Sequence, residues 1–468
     1  MKTNLLKILP LTVVLAFLQG CNDDEDLIVD TSGYKIELAE NYQVTRFKQI
    51  EIEPKISGFD EATFNWKIGD SIISNEQKLN FSSLKAGNFD LKLIVKNKNK
   101  VDSATTKVNV PDVIESSYET DRLKYIFISP DVDDKMFNEF VWKIDNEVIS
   151  TSKELNYVTD LIGKKNITLE MKGSKNVSVT SNLIVNNEKS TYSKYISQVF
   201  DYLPAVGQFT NALPAYIVGE TQADMTAKAA KALVGEKSTM ITLGGYGGYV
   251  VFGFDHTIMN QPNKRDFKVL GNGFAGSSEP GIVMVAYDKN KNGKPDEDEW
   301  YEIAGSEYTN PNTIKNYTIT YTKPDENKTP VKGTIGWQTD IEYIKWSDNL
   351  GNSGYKTKNS YHKQSYYPLW FGSDQLKFTG TLLPNNYTDQ SGNGTYWVGK
   401  QYAYGYVDNA SNSSEDSNID IDWAVDKNGN PVKLLGIDFI KVYTATNQEA
   451  GWLGEISTEV AGAYDLHL

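Results

Sequence analysis

Apolar and polar positions alternate along much of the N-terminal third, as in Phe89–Val95 (FDLKLIV) and Ile167–Met171 (ITLEM). That period of two predicts half-buried strands. The segment Phe64–Phe81, FNWKIGDSIISNEQKLNF, returns 76 residues later as Phe140–Tyr157, FVWKIDNEVISTSKELNY, with eight of 18 positions identical. Each copy places one Trp in an alternating strand, followed by a turn and a second strand. A repeat of this length with short strands predicts tandem β-sandwich modules, the Trp packed between two sheets. The boundaries fall at 30–111 and 112–187.

The pattern then changes. Tyr192, Tyr195, Ile196, Val199 and Phe200 recur at helical spacing ahead of Pro204 and predict a short helix. A second is predicted from Thr221, with Met225, Ala229, Ala232 and Leu233 on one face and Gly235 closing it. From Ile241 onward the chain reads as strands and turns. Asp266–Asn272, Pro280–Tyr287 and Gly436–Thr444 have the apolar runs of inner strands. The glycine-rich stretch Leu243–Phe252 is not a phosphate loop, because no Lys-Ser/Thr follows and strand succeeds it. Its glycines fit a bulge or close backbone packing. The fold expected is mainly β: two tandem Ig/PKD-like sandwiches, then a larger jelly-roll-like sandwich with two short helices over 188–468.

Composition narrows the function. The chain has 468 residues, 39% hydrophobic and 23% charged, which excludes a disordered chain. Its net charge of −14 argues against nucleic acid as a partner. One Cys permits no internal disulfide, and three His leave little for a histidine-built metal site. At the N-terminus, Lys2 and Lys7 precede the apolar run Ile8–Leu18, too short to span a bilayer and suited to a signal peptide over 1–20. Leu18-Gln19-Gly20-Cys21 resembles a lipobox, which makes Cys21 the lipidation site. The acidic run Asn22–Asp26, within a tether over 21–29, resembles the surface-export signal of Bacteroidetes lipoproteins. Removing the two lysines leaves a mature chain at −14 − 2 = −16.

Two features carry candidate chemistry. Asp288–Glu299 reads DKNKNGKPDEDE, with oxygen donors at positions 1, 3 and 5, Gly at 6, Asp at 9 and Glu at 12. That spacing matches a calcium loop, here flanked by strands instead of helices. The candidate ligands are Asp288, Asn290, Asn292, Lys294, Asp296 and Glu299, holding Ca2+ in a structural role. The alternative is a polar hairpin turn without metal. Between Tyr355 and Tyr406 lie 13 aromatics in 52 residues. Apolar rings with polar tips suit a flat or amphipathic ligand such as a sugar face or a corrin ring. The candidate surface comprises Tyr366, Tyr367, Trp370, Phe371, Tyr396, Trp397, Tyr402, Tyr404 and Tyr406, the last three expected on one strand face. Sandwich core is the competing reading of any one ring.

Catalysis has thin support. No Gly-x-Ser-x-Gly elbow, cysteine nucleophile or His-Glu-x-x-His is present. Asp255 and His256 are expected on opposite strand faces, unpaired. Glu299 and Glu302 are the acids a glycosidase would use. The segment order GGYGGYVVFGFDH, DFKVLGN, EPGIVMVAYDKNKNGKPDEDEWYEIAGSEY, IDWAVDKNG, IDFIKVY resembles Bacteroidetes cell-surface proteins that carry a PKD module before a C-terminal β-sandwich. The resemblance implies a non-catalytic lipoprotein on the outer membrane surface, working with nutrient uptake. Its ligand would be a corrinoid (vitamin B12) or a glycan, and its partners a TonB-dependent transporter and companion lipoproteins. A protein or matrix adhesin is the alternative, a carboxylate-based glycoside hydrolase a further one.

Overall fold

Strand-to-strand pairing organises nearly everything in the computed structural model, which describes residues 33–98 and 100–468. Cys21, the signal peptide and the acidic tether lie outside the described residues. The chain divides into two units, 33–112 and 113–468.

In the first unit a five-stranded sheet runs in the order Asn41–Gln43, Val101–Val110, Gly87–Lys96, Thr63–Ile68, Ser71–Ser74. The short pairs Gln49–Ile52 with Leu79–Ser82 and Lys35–Glu37 with Lys55–Ser57 complete it. Trp66 is wholly buried among Leu91, Leu93, Val95 and Val108, and its indole N–H donates to the Gln77 carbonyl at 3.3 Å. That bond meets the polar need of an otherwise apolar side chain.

The second unit begins with the same plan. Ser117–Asp121, Val177–Asn186, Gly163–Gly173, Phe137–Ile144 and Glu147–Ser150 pair in the same order, with the same parallel edge strand. A bulge follows the Trp in both copies, after Trp66 and after Trp142. The repeat read from the sequence is therefore a repeat of topology. This second module is fused to the C-terminal sandwich. The Tyr125 hydroxyl donates to the Gly436 carbonyl at 3.0 Å, and its ring stacks on Tyr287 at 4.9 Å. Tyr125 and Val158 thus belong to the core of the larger sandwich.

That sandwich has a six-stranded sheet ordered Gln198–Leu203, Tyr249–Met259, Gly436–Thr444, Gly281–Ala286, Trp300–Ile303, Ala424–Val425, and a three-stranded sheet ordered Asn418–Ile419, Phe267–Leu270, Gly462–Asp465. Val250, Phe252, Ile440 and Val442 share one core with Phe267, Val269 and Ala463. A four-stranded sheet of Ser353–Asn359, Gln338–Asp348, Ile314–Thr322 and Gln375–Leu382 is added with a core of its own. The glycine-rich segment serves close packing: a Cβ on Gly247 would lie 2.2 Å from the Phe378 side chain, and one on Gly248 1.9 Å from the Leu243 carbonyl.

Of the two expected helices one forms. Gln222–Leu233 is helical, its Thr221 cap and Asp224 bonding reciprocally, with Met225, Ala229 and Leu233 buried. The helix expected near 192–200 is instead the approach to strand Gln198–Leu203. Ile196 and Val199 are both buried, three apart, in extended chain, and so imitate helical spacing.

Candidate functional site

The aromatic segment separates into core and surface. Tyr366 and Tyr367 are buried in the four-stranded sheet's core, with the Tyr367 hydroxyl donating to the Ser373 carbonyl at 2.7 Å. Tyr402 and Tyr406 are buried too, their ring centres 5.6 Å apart. These four offer no ring face to a ligand. Gly405, at φ +87°, turns the chain between them, so Tyr402, Tyr404 and Tyr406 do not form one strand face. Tyr404 points outward against Trp423. Trp370 donates to Gln222 at 2.9 Å and packs on Tyr202 and Tyr216, tying its loop to the helix. Phe371 is half-buried against the four-stranded sheet's core.

Tyr396 and Trp397 lie elsewhere, in the hairpin Tyr387–Asp389 / Trp397–Gly399. Trp397 packs with Tyr387, Ala450 and Ile456, while Tyr396 is 62% exposed. This hairpin borders a cavity of about 330 Å³ built from five separate chain segments. Its lining includes Phe209, Glu279, Tyr361, His362, Tyr387 and Trp452. Tyr361 is 62% exposed and Trp452 42%, their rings 6.3 Å apart and nearly perpendicular. Phe209 and His362 make a second edge-to-face pair at 4.7 Å, and burial lowers the His362 pKa. Two open rings in contact at the mouth of a cavity form an apolar surface of the kind that lines ligand sites.

The rings are held by a buried polar frame. Gln208 donates from its backbone to Glu455 at 2.7 Å and from its side chain to the Leu453 carbonyl at 2.5 Å, and accepts from Asn359 at 2.8 Å. The Trp452 indole N–H donates to the Thr395 carbonyl at 3.3 Å. Gly451 at φ +56° and Gly454 at φ +87° bend the chain so that Trp452 stands outward.

Beneath the cavity lies a group of acids. Carboxylate oxygens of Glu279, Asp408 and Glu459 come within 4.8 Å of one another. Asp408 accepts from the backbone of Asn272 and Gly273 at 2.6 Å each and of Glu459 at 2.9 Å. Glu459 accepts from Ser457 at 2.9 Å and Thr242 at 3.1 Å. Glu279, half-buried at the cavity floor, receives one long bond from Ser457 at 3.4 Å. Burial is the first cause that raises all of them: Asp408 to about 7, Glu455 and Glu459 to about 8, and Glu279 well above its ordinary value, with Glu459 and Asp408 adding repulsion there. Lys356 is fully buried nearby and offsets Glu449 and Glu455. Among the described residues Glu279, Asp408 and Glu459 form no ion pair.

The Asp288 loop is a turn closed by hydrogen bonds among its own residues. Asp288 accepts from Asn292 at 3.0 Å and Gly293 at 2.8 Å, and Asn292 accepts from Lys294 at 2.7 Å. The side-chain amides of Asn290 and Asn292 converge on one Asp296 oxygen at 2.6 and 2.7 Å. Glu299 closes the loop, accepting from Lys289 at 2.9 Å and Asp296 at 3.1 Å. Side-chain oxygens of Asp288, Asn290, Asn292, Asp296 and Glu299 are of the type a hard cation takes, and here they accept hydrogen bonds from within the loop. Glu302 is engaged by Lys315 at 3.0 Å and Thr381 at 2.7 Å. His256, expected to lie apart from Asp255, bonds it at 2.8 Å and Asp465 at 2.9 Å. The ladder slips between Gly253 and Ile258, which turns neighbouring side chains to one side. His256 is wholly buried, so this triad ties strands together.

Residues 26–97 match the PKD-like domain family. The chain therefore carries a PKD-like domain at the position of its first sandwich. No curated protein matches the chain. Among solved structures, part of the chain is similar to the fibronectin(III)-like modules of Clostridium thermocellum CbhA, at 14% identity and TM-score 0.14, over 34% of this chain and 98% of that one. It is similar to the titin domains z1z2 crystallised with telethonin, at 13% identity and TM-score 0.16, over 34% and 99%. It is also similar to the N-terminal Ig1-2 module of the Drosophila receptor tyrosine phosphatase DLAR, at 11% and 0.14, over 33% and 99%. The sandwich architecture rests on strand pairing and on the PKD-like match.

Proposed function

We propose that this protein is a non-catalytic binding protein that captures a nutrient ligand at the outer membrane surface. Cys21 would carry the lipid anchor, and a TonB-dependent transporter with companion lipoproteins would receive the ligand. The observation that carries the reading is the pair of exposed rings, Tyr361 and Trp452, at the mouth of the five-segment cavity. Binding groups on loops held by a rigid sandwich are the usual arrangement. A cavity of about 330 Å³ is at the small end of ligand sites. It would enclose a sugar unit and would hold only an edge of a corrinoid, so a glycan is the favoured ligand. Binding is favoured over hydrolysis because the two acids first suspected, Glu299 and Glu302, do not line this cavity.

The Asp288 loop would hold Ca2+ as a clamp. The test is calorimetric titration of residues 22–468 with a glycan panel and with cyanocobalamin, wild type beside Trp452→Ala. Saturable heat that the substitution abolishes is expected. Binding that Trp452→Ala leaves intact would move the site elsewhere. Product release from any glycan would make the protein a hydrolase.

A further inference from the structure

The cavity pairs aromatic rings with a carboxylate that has no basic partner among the described residues. Its rim is aromatic, with Tyr361, Trp452 and Phe209, and its floor is a half-buried carboxylate, Glu279. Ring faces attract cations, and more strongly where water is excluded. Glu279 receives a single long hydrogen bond and stands against Asp408 and Glu459 without a basic partner among the described residues. Groups this crowded must either keep protons or meet a positive charge from outside.

We propose that the cavity selects an organic cation: an ammonium group against Glu279, its carbon skeleton against the paired rings of Tyr361 and Trp452. This rests on the reading that the cavity is the ligand site, and names the ligand's charge. An amino sugar or a small quaternary amine has this chemistry. The same geometry predicts proton release. The charged groups acting on Glu279 are Glu459, Asp408 and Glu455, with Glu449 and Lys356 acting in turn on Glu455, and His362, Tyr361 and Tyr387 on the cavity lining. Burial and the neighbouring acids favour a protonated Glu279, so an arriving cation displaces a proton and affinity rises with pH as the acids ionise. Where the acids are neutral the preference fades.

The experiment pairs each cation with a neutral partner: glucosamine with N-acetylglucosamine, and choline with its uncharged isostere dimethylbutanol. Tryptophan fluorescence, with Trp452→Ala as the control that assigns the signal, and calorimetry in two buffers of different ionisation enthalpy read affinity and proton release. The expected result is a preference of about tenfold for each cation, lost in Glu279→Gln and weakened in Tyr361→Ala. Thermal melts of both variants check that they fold. Equal affinity for cation and neutral partner, or a preference that survives Glu279→Gln, overturns the inference and leaves the binding reading standing. Calcium chloride alone giving heat that Glu279→Gln removes overturns it in favour of a metal. Binding of neither kind of probe overturns it, and failure of the glycan and cobalamin panel would then overturn the binding reading as well.

Discussion

The four-stranded sheet and the cavity beside it are built from the same residue types and use them in opposite ways. Tyr317, Tyr321, Tyr343, Tyr366 and Tyr367 turn their rings into a shared core, and their hydroxyls reach partners at its edges, as Tyr321 does at the Tyr246 carbonyl and Tyr317 at Asp348. Tyr361 and Trp452 leave their rings open and anchor them from behind. The difference is set by neighbours. Strand position does not decide it: Tyr366 and Tyr367 lie past the strand end at Asn359 as Tyr361 does, yet they are buried against Tyr343 and its neighbours while the Tyr361 ring meets the likewise open Trp452. Aromatic density alone therefore does not separate a binding surface from a tyrosine-rich core.

The widest contrast is in stability. Tyr367→Ala should cost about 3–5 kcal/mol in urea unfolding, the range for large rings removed from a core. Tyr361→Ala should stay within about 0.5 kcal/mol of wild type. Equal losses would mean that Tyr361 is also a packing residue. The acids below the cavity give the next effect. A carboxyl raised in the folded state is protonated there while the unfolded chain has already released its proton. Stability should thus fall as pH rises from about 4 to about 8 and level off above, by on the order of a few kcal/mol. Glu455, raised to about 8, makes Glu455→Gln the variant that flattens this slope. Melting temperatures that rise over the same window would show the acids to be ionised and compensated in the fold.

Short-range pattern was the legible part of the molecule. The Trp-centred repeat marked both modules, because each copy contains its own strand, bulge and turn around Trp66 or Trp142. The helix from Thr221 was legible through its cap and its buried stripe. Ile196 and Val199 misled, since both are buried three apart in extended chain. The cavity was not legible at all. Gln208, Glu279, Tyr361, Tyr387 and Trp452 are far apart in sequence and meet only through the pairing of distant strands. Its one local signal is Gly451-Trp452-Leu453-Gly454, where two glycines at positive φ lift an indole outward. Of the nine aromatics proposed from density, only Tyr396 and Trp397 sit in the hairpin that borders the cavity, and Tyr366, Tyr367, Tyr402 and Tyr406 are core.

Binding should reverse the ranking that stability gives. Trp452→Ala is expected to lower affinity for any ligand of the cavity by about 1–2 kcal/mol, tenfold or more, with melting almost unchanged. Isothermal titration beside a melt of the same sample checks both halves. A variant that melts early and still binds would invert the assignment.

The smallest expected effect concerns the Asp288 loop, whose donors come from one continuous segment and share no residue with the cavity lining. Extracellular calcium loops bind in about the 10⁻⁴–10⁻³ M range. At about 1 mM free calcium the linkage then stabilises the fold by about 0.4–1.4 kcal/mol, relative to the same protein in chelator. Two neutral donors, Asn290 and Asn292, favour the weaker end. Calorimetric melts with and without calcium should resolve this shift, and Asp288→Ala should remove it. Ligand affinity should be the same with chelator as without, because the loop stiffens the link between strands Gly281–Ala286 and Trp300–Ile303 while the cavity is framed by Gln208 and Glu455. Loss of ligand binding in chelator would mean that the two regions act as one site. It would also redirect the search for the ligand to a chelating molecule.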